Sequence, residues 1–220
     1  MITGAIFDVD GTLFDSMQIW NDAGERYLMS LGIKAEPDLG KIMFSMSMVQ
    51  GAEYLKERYA LQFDTDEIID GINSTIQDFY DNQVLLKRGV KQFLSEMRKC
   101  DIKITAATSS DRRLIEKAMD RLEILTFFDR IFTCSEVGTG KSKPDIYLAA
   151  NQYMDTDISD TWVFEDAYHA IQTAKNAGFR IAGVYDASSM EVQKEIRKIS
   201  DIYLYDLDDF TAFVEIANNT

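Results

Sequence analysis

The sequence predicts an α/β fold: a doubly wound, Rossmann-like parallel sheet with an all-helical segment inserted after its first strand. Short apolar runs alternate with amphipathic stretches along residues 85–220, which is typical of a parallel sheet covered by helices on both faces. One further apolar run lies within residues 1–15, whereas residues 16–84 show helical periodicity and no strand pattern. We therefore expect two domains, an α/β core of residues 1–15 and 85–220 and a helical domain of residues 16–84.

The first element is a buried strand over residues 3–10, because a short apolar run ends there in acids and a glycine. Three helices follow over residues 16–31, 47–60 and 65–82, where apolar side chains recur at helical spacing. Polar residues before a helix can satisfy its free amide groups. The candidate caps of the second and third helices are Ser47, Asp64 and Thr65.

Beyond Gly89, helices and strands alternate to the end of the chain. The predicted strands are residues 102–108, 131–133, 161–164, 180–184 and 202–204. The predicted helices are residues 89–99, one from 111, one that opens with Pro144 in its first turn, one that stops at Gly178, 189–198 and 208–217. This alternation predicts the parallel sheet of the core domain.

Composition and charge exclude several classes of function. The chain has 220 residues, of which 23 are basic and 37 acidic, so its net charge is −14. Such a protein repels nucleic acid backbones, and we expect no nucleic acid partner. A single histidine, His169, argues against a zinc cluster. Cys100 and Cys134 are isolated, and the sequence shows no secretory leader and no run of about 18 apolar residues. We therefore expect a cytoplasmic protein without a membrane partner.

Acids gather where predicted strands end. Asp8 and Asp10 follow the first strand, and Glu165 and Asp166 follow a later one. Open α/β sheets bind ligands at this edge, and carboxylates crowded there need a cation. Oxygen ligands alone select a hard ion such as Mg²⁺. Taken singly, Glu165 and Asp166 are more often a helix cap, and residues 108–110 an ordinary loop. Acids that end a buried strand are costly, which favours function for Asp8 and Asp10.

Residues 7–13, with the sequence Phe-Asp-Val-Asp-Gly-Thr-Leu, resemble the first motif of the haloacid dehalogenase superfamily of phosphatases and phosphotransferases. Thr108 is similar to the hydroxyl residue of the second motif, Lys141 to the lysine of the third, and Glu165 with Asp166 to the acids of the fourth. The helical segment stands where the family has its helical cap. The sequence most resembles the phosphoglycolate phosphatase and β-phosphoglucomutase branch.

This resemblance implies magnesium-dependent hydrolysis of a small phosphate monoester, such as a sugar phosphate or phosphoglycolate. Asp8 would be the nucleophile that forms an aspartyl phosphate, and Asp10 the general acid and then the general base. Thr108 and the amide of Ser109 would hold the phosphoryl oxygens, while Lys141 would offset their charge.

The same resemblance implies a metal site and a moving cap. Mg²⁺ would be held by the carboxylates of Asp8 and Asp166, by the backbone carbonyl of Asp10, and by Glu165 directly or through water. The cap would open and close over the core of a monomer or weak dimer that binds a small phosphorylated metabolite.

The sequence also departs from the family pattern. Because Asp10 is present, carbon–halogen hydrolysis is disfavoured. Lys143 is a rival for the role of Lys141. Trp20, a candidate substrate-binding residue, stands where β-phosphoglucomutases carry a histidine, and residues 43–48 hold no cation where those enzymes carry an arginine.

These departures favour a phosphatase over a mutase, and a protein that binds phosphate without turnover is a third alternative. The apolar side chains of the helical domain either form an adaptable lid or are that domain's own core. They are Trp20, Met43, Phe44 and Met46.

Overall fold

The computed structural model of the protein describes residues 1–43, 46 and 48–218. The chain divides into two compact units, one of Met1–Asp15 with Leu85–Thr220 and one of Ser16–Val84. Two residues singled out from the sequence, Phe44 and Ser47, lie outside the described residues. Among the residues described, no helix is long and apolar enough to cross a membrane.

The described part of the helical unit is built from helices. They are α1 (Met17–Ser30), α2 (Leu39–Met43), α3 (Met48–Tyr59) and α4 (Thr65–Asp78). The five-residue α2 was not predicted, because so short a helix shows no period. Asp64 caps α4 through a capping box with Glu67, whereas Thr65 is the first helical residue and not the cap. The predicted 65–82 helix ends as a π-helical turn, Phe79–Gln83.

The apolar face of α4 forms part of the core of this unit. Ile68, Ile72 and Ile76 are buried at helical spacing. Gly71 lies against Tyr27 of α1, where an added Cβ would come within 2.2 Å of the tyrosine ring. The glycine therefore permits the close approach of the two helices.

The α/β unit contains a parallel sheet. Its strands are β1 (Gly4–Phe7), β2 (Lys103–Thr108), β3 (Arg130–Thr133), β4 (Thr161–Glu165), β5 (Arg180–Val184) and β6 (Ile202–Leu204). Over the described residues the sheet has six strands in the order β3-β2-β1-β4-β5-β6. The predicted doubly wound parallel fold is confirmed. The first strand is shorter than the predicted 3–10, because the backbone turns after Asp8 instead of continuing the ladder.

Helices cover both faces of the sheet. They are α5 (Val90–Lys99), α6 (Arg112–Arg121), α7 (Cys134–Val137), α8 (Asp145–Met154), α9 (Tyr168–Asn176), α10 (Gln193–Ile199) and α11 (Phe210–Ala217). Pro144 precedes α8 as its N-cap and is not within its first turn. The predicted 189–198 helix begins as a 3₁₀ segment, Ala187–Val192, before α10.

Successive side chains of β1 and β4 point to opposite faces of the sheet, so the core has two layers. Phe7 and Phe164 stack with centroids 4.1 Å apart on one face, against Phe93 of α5 and Phe213 of α11. The opposite face buries a mixed aliphatic and aromatic cluster against α8, α9 and α10. All residues of β1 and β4 are buried, which explains why these central strands are continuous apolar runs in the sequence.

Candidate active site

A tight turn directly follows β1 and carries the first two acids. The amide of Asp8 still donates to the carbonyl of Phe164 on β4, at 2.9 Å. The chain then reverses between Val9 and Phe14, where the Phe14 amide donates to the Val9 carbonyl at 2.8 Å. Gly11 has a φ of +86°, a conformation that favours glycine. Asp8 is thereby fixed by the sheet and Asp10 by the turn.

Sheet order brings the other polar residues to this turn. Because β1 lies between β2 and β4, the ends of all three strands are neighbours. Thr108 ends β2 and Glu165 ends β4, and Asp166 follows it. The order reverses between β1 and β4, the switch point at which open α/β sheets bind ligands.

A buried lysine joins the acids of this edge. Lys141, in the segment between α7 and α8, donates from Nζ to Asp8 Oδ1 and to Glu165 Oε2, the latter at 2.7 Å. The hydroxyl of Tyr147 donates to the same Glu165 oxygen at 3.1 Å. The other Glu165 oxygen accepts from the Ala167 amide at 3.2 Å. Four buried side chains and the amide of Ala167 thus form a connected hydrogen-bond network.

Burial and negative charge perturb the acids. Burial, followed by the charge of Glu165, raises the pKa of Asp8 from 3.8 to about 7 against the opposing effect of Lys141. Burial and the charges of Asp8 and Glu165 raise the pKa of Asp166 well above its usual range. Burial alone would lower the pKa of Lys141, but the carboxylates outweigh it and hold that pKa well above its ordinary value. The cluster carries more negative charge than its lysine balances.

The donor set of this cluster fits a divalent cation. Oxygens of Asp8, Glu165 and Asp166 lie within 4.8 Å of one another, and all three residues are buried. Oδ2 of Asp8 is buried and has no hydrogen-bond partner. An orphaned carboxylate oxygen among excess negative charge is what a hard cation would satisfy. Both oxygens of Glu165 already accept from protein donors, so this residue is the least available of the three.

The loop after β2 faces the same turn. The Ser110 amide donates to Thr108 Oγ1 at 3.0 Å, and the Ser110 hydroxyl donates to Asp10 Oδ2 at 2.6 Å. Ser109 is exposed, and its hydroxyl lies 3.4 Å from the Sγ of Cys134. The structure therefore brings Thr108 and Asp10 together through Ser110, which was not a candidate from the sequence.

The remaining candidates lie as follows. Lys143 is exposed, two residues from the buried Lys141. Trp20 is on α1 of the helical unit and is 43% exposed. Asp166 does not cap α9, whose N-cap is Ala167 without a side-chain bond, so the capping alternative is wrong for this residue. His169 is exposed, in keeping with a helix-surface residue.

A second lysine, Lys87, binds the turn that follows β1. Lys87 Nζ donates to the Gly11 carbonyl at 2.7 Å, to Asp186 Oδ2 at 3.0 Å and to the Tyr185 carbonyl. Its side chain is 14% exposed and that of Asp186 is 7% exposed. The charge of Asp186 contributes to the raised pKa of Asp166. Lys87 thus ties the turn after β1 to the segment after β5.

Sequence reasoning missed Tyr147, Lys87 and Asp186. Asp186 follows a predicted strand, so the rule that selected Asp8 would have selected it too. Tyr147 lies six residues after Lys141 in a helix expected to face the sheet, a weaker signal. Nothing near Lys87 in the sequence indicates which groups it binds.

Known proteins resemble this chain over most of its length. The model of a family described as haloacid dehalogenase-like hydrolase matches residues 5–184. A phosphorylated carbohydrates phosphatase of Thermotoga maritima is 27% identical over 180 residues, 81% of this chain and 83% of the relative. A β-phosphoglucomutase of Bacillus subtilis is 26% identical over 213 residues, 90% of this chain and 91% of the relative.

Solved structures share the fold. A haloacid dehalogenase-type hydrolase of Entamoeba histolytica superimposes with a TM-score of 0.76 at 23% identity, over 99% of this chain and 100% of the other. The matched family segment contains all of Asp8, Asp10, Thr108, Lys141 and Asp166.

Proposed function

The chain belongs to the haloacid dehalogenase-like hydrolase family, and on that premise we propose that it is a magnesium-dependent phosphatase of a small phosphate monoester. The observation that carries this proposal is the buried contact of Lys141 with Asp8, beside a second Asp8 oxygen that no donor satisfies. A nucleophilic carboxylate that also binds a cation needs one oxygen for each task. We assign the unsatisfied Oδ2 of Asp8 to the cation and Oδ1, which Lys141 orients, to the attack on phosphorus.

Each residue has a role that follows from its contacts. Asp8 attacks phosphorus, so that its oxygen forms a bond to phosphorus as the ester oxygen leaves, giving an aspartyl phosphate. Asp10 gives its proton to the leaving oxygen and then takes one from the water that hydrolyses the intermediate. The hydroxyl oxygen of Thr108 accepts from the Ser110 amide. The hydroxyl proton of Thr108 therefore remains available to donate to a phosphoryl oxygen. Lys141 orients Asp8 and offsets negative charge on the phosphoryl group.

We propose Mg²⁺ as the cation, held by Asp8, Asp166 and the Asp10 carbonyl, with Glu165 acting through water and through Lys141. When bound, the cation neutralises charge on the phosphoryl oxygens. It would also lower the pKa values of Asp8 and Asp166, because a nearby positive charge favours the carboxylate. This choice of cation rests on the all-oxygen donor set.

For the substrate we propose a small phosphorylated metabolite, of the sugar phosphate or phosphoglycolate type. The name of the Thermotoga maritima relative, a phosphorylated carbohydrates phosphatase, supports this class. We further propose that residues 16–84 are the cap that selects the substrate, with Trp20 as one contact. A cytoplasmic monomer or weak dimer is the simplest form of such an enzyme.

The decisive experiment measures phosphate release from a panel of phosphorylated metabolites, with and without Mg²⁺, beside an Asp8→Asn variant. Release that requires both Mg²⁺ and Asp8 is the expected result, and the ranking of the panel would identify the substrate class. Isomerisation of a sugar phosphate that needs a bisphosphate activator would instead indicate a mutase, as the Bacillus subtilis relative is named. Binding of phosphate without turnover would indicate a binding protein.

The two lysines of the third motif provide a matched pair of variants. Lys141→Met removes a buried donor to Asp8, and we expect a loss of at least a hundredfold in kcat. Lys143→Met removes an exposed charge two residues away, and we expect kcat to change less than about twofold. A reversed order of effects would transfer the catalytic role to Lys143.

A further inference from the structure

Ser110 lies between the two catalytic segments and bonds to both. Its hydroxyl donates to Asp10 Oδ2 at 2.6 Å, and its amide donates to Thr108 Oγ1 at 3.0 Å. The residue is 9% exposed, so water competes little for these bonds. One loop residue therefore bridges side chains that are about one hundred residues apart in the sequence.

Local helix capping does not account for this hydroxyl. The loop between β2 and α6 ends at Asp111, whose side chain accepts from the Arg113 amide at 2.8 Å and caps α6. Ser109 turns its hydroxyl toward Cys134. The hydroxyl of Ser110 is directed instead to Asp10, the group that must exchange a proton with the leaving oxygen.

We propose that Ser110 is a positioning residue for Asp10, an inference that rests on the proposed phosphatase function. By donating to Oδ2, the hydroxyl fixes the rotation of the carboxyl group and assigns the transferable proton to Oδ1. That proton passes to the ester oxygen as the P–O bond breaks and the bond from Asp8 to phosphorus forms. Ser110 keeps its own proton throughout.

The chemistry of the leaving group separates this role from a structural one. An alkoxide is a strong base and needs the proton of Asp10, whereas p-nitrophenolate leaves without it. Loss of the Ser110 hydroxyl should therefore impair alkyl phosphates and spare p-nitrophenyl phosphate. A distorted loop would impair both esters alike, because both need Thr108 and Asp8. The ratio kcat/KM reports the steps up to the first irreversible one, so later hydrolysis of the intermediate does not enter.

The experiment compares kcat/KM of Ser110→Ala, Ser110→Thr and wild type on p-nitrophenyl phosphate and on the best alkyl phosphate of the panel. For Ser110→Ala we expect a loss of about ten- to hundredfold on the alkyl ester and less than about threefold on the aryl ester. Ser110→Thr keeps the hydroxyl and should recover to within about threefold of wild type. Ser200→Ala, which removes a hydroxyl bonded to the Ile196 carbonyl, is the control expected to match wild type.

A double variant tests whether Ser110 acts through Asp10. Ser110→Ala should cost nothing further in an Asp10→Asn background, because the group that it positions is already gone. Equal losses on both esters, or additive losses in the double variant, would overturn the inference while leaving the phosphatase function intact. Failure of the function itself is distinct, because wild type would then release no phosphate or Asp8→Asn would release as much.

Discussion

Replacing Asp8 by asparagine should stabilise the cation-free protein at alkaline pH, although it removes the nucleophile. Burial and the charge of Glu165 raise the pKa of Asp8 from 3.8 to about 7 in the folded protein. Between these values the folded protein keeps a proton that the unfolded chain has lost. The fold therefore loses stability as the pH rises through this window, and asparagine has no proton to lose.

The size of the effect follows from the width of the window. Each pH unit is worth about 1.4 kcal/mol, so a window from 3.8 to about 7 amounts to about 4 kcal/mol above pH 7. Water that enters the cluster solvates part of the charge, so we expect a gain of about 1–4 kcal/mol for Asp8→Asn at about pH 8. At about pH 4 the gain should fall below about 1 kcal/mol, because Asp8 is then protonated in the folded protein and about half protonated in the unfolded chain.

Urea unfolding in the presence of a chelator, followed by circular dichroism at both pH values, measures this difference. Asp120→Asn, which removes one exposed carboxylate of α6, is the control for the change in net charge. Adding Mg²⁺ should reverse the order at about pH 8, because wild type gains binding energy and the variant has lost a ligand. A gain that is equal at both pH values, or that Asp120→Asn reproduces, would refute the argument from burial.

Three further predictions concern the surroundings of the cluster. Tyr147→Phe removes the hydroxyl that donates to Glu165, and in steady-state kinetics it should lower kcat about tenfold with little change in KM. The control Tyr153→Phe, on the same helix, should match wild type. Lys87→Met leaves Asp186 buried without its cationic partner and should reduce the free energy of unfolding, measured by urea titration, by about 3 kcal/mol. Adding Asp186→Asn should restore part of that stability, and a double variant without any restoration would contradict the role of this ion pair. Chelation should abolish phosphate release and Mg²⁺ should restore it, which a metal-independent activity would contradict.

The α/β core could be predicted because its signals are local and redundant. Every strand is an apolar run followed by polar residues. Gly89 directly precedes α5, and Gly178 follows the end of α9. Boundaries were less certain where backbone geometry decides them. The π-helical turn at Phe79–Gln83 and the 3₁₀ segment Ala187–Val192 both interrupt sequences that look helical, since their side chains differ little from those of an α-helix.

The site could be predicted from the sequence only where a chemically reactive or metal-binding residue directly follows a predicted strand. Asp8, Asp10 and Glu165 follow apolar runs, and the burial of Asp8 and Glu165 makes these two acids costly without a role. Ser110 and Lys87 are different, because each is defined by partners that are far away in the sequence. Nothing in a serine after a serine, or in a lysine after two leucines, indicates which carboxylate or carbonyl it will meet.

The pairing of β1 between β2 and β4 also determines when the molecule can first become active during its synthesis. Gly4 pairs with Lys103 on one side and with Thr161 on the other. At about 5–20 residues per second, the first strand waits about 8 to 30 s for its second neighbour to be translated. Residues 16–84 are translated long before that neighbour. Until β4 is translated, the strand that precedes Asp8 therefore keeps one edge without its partner, and an unpaired strand edge is a site at which other chains can pair.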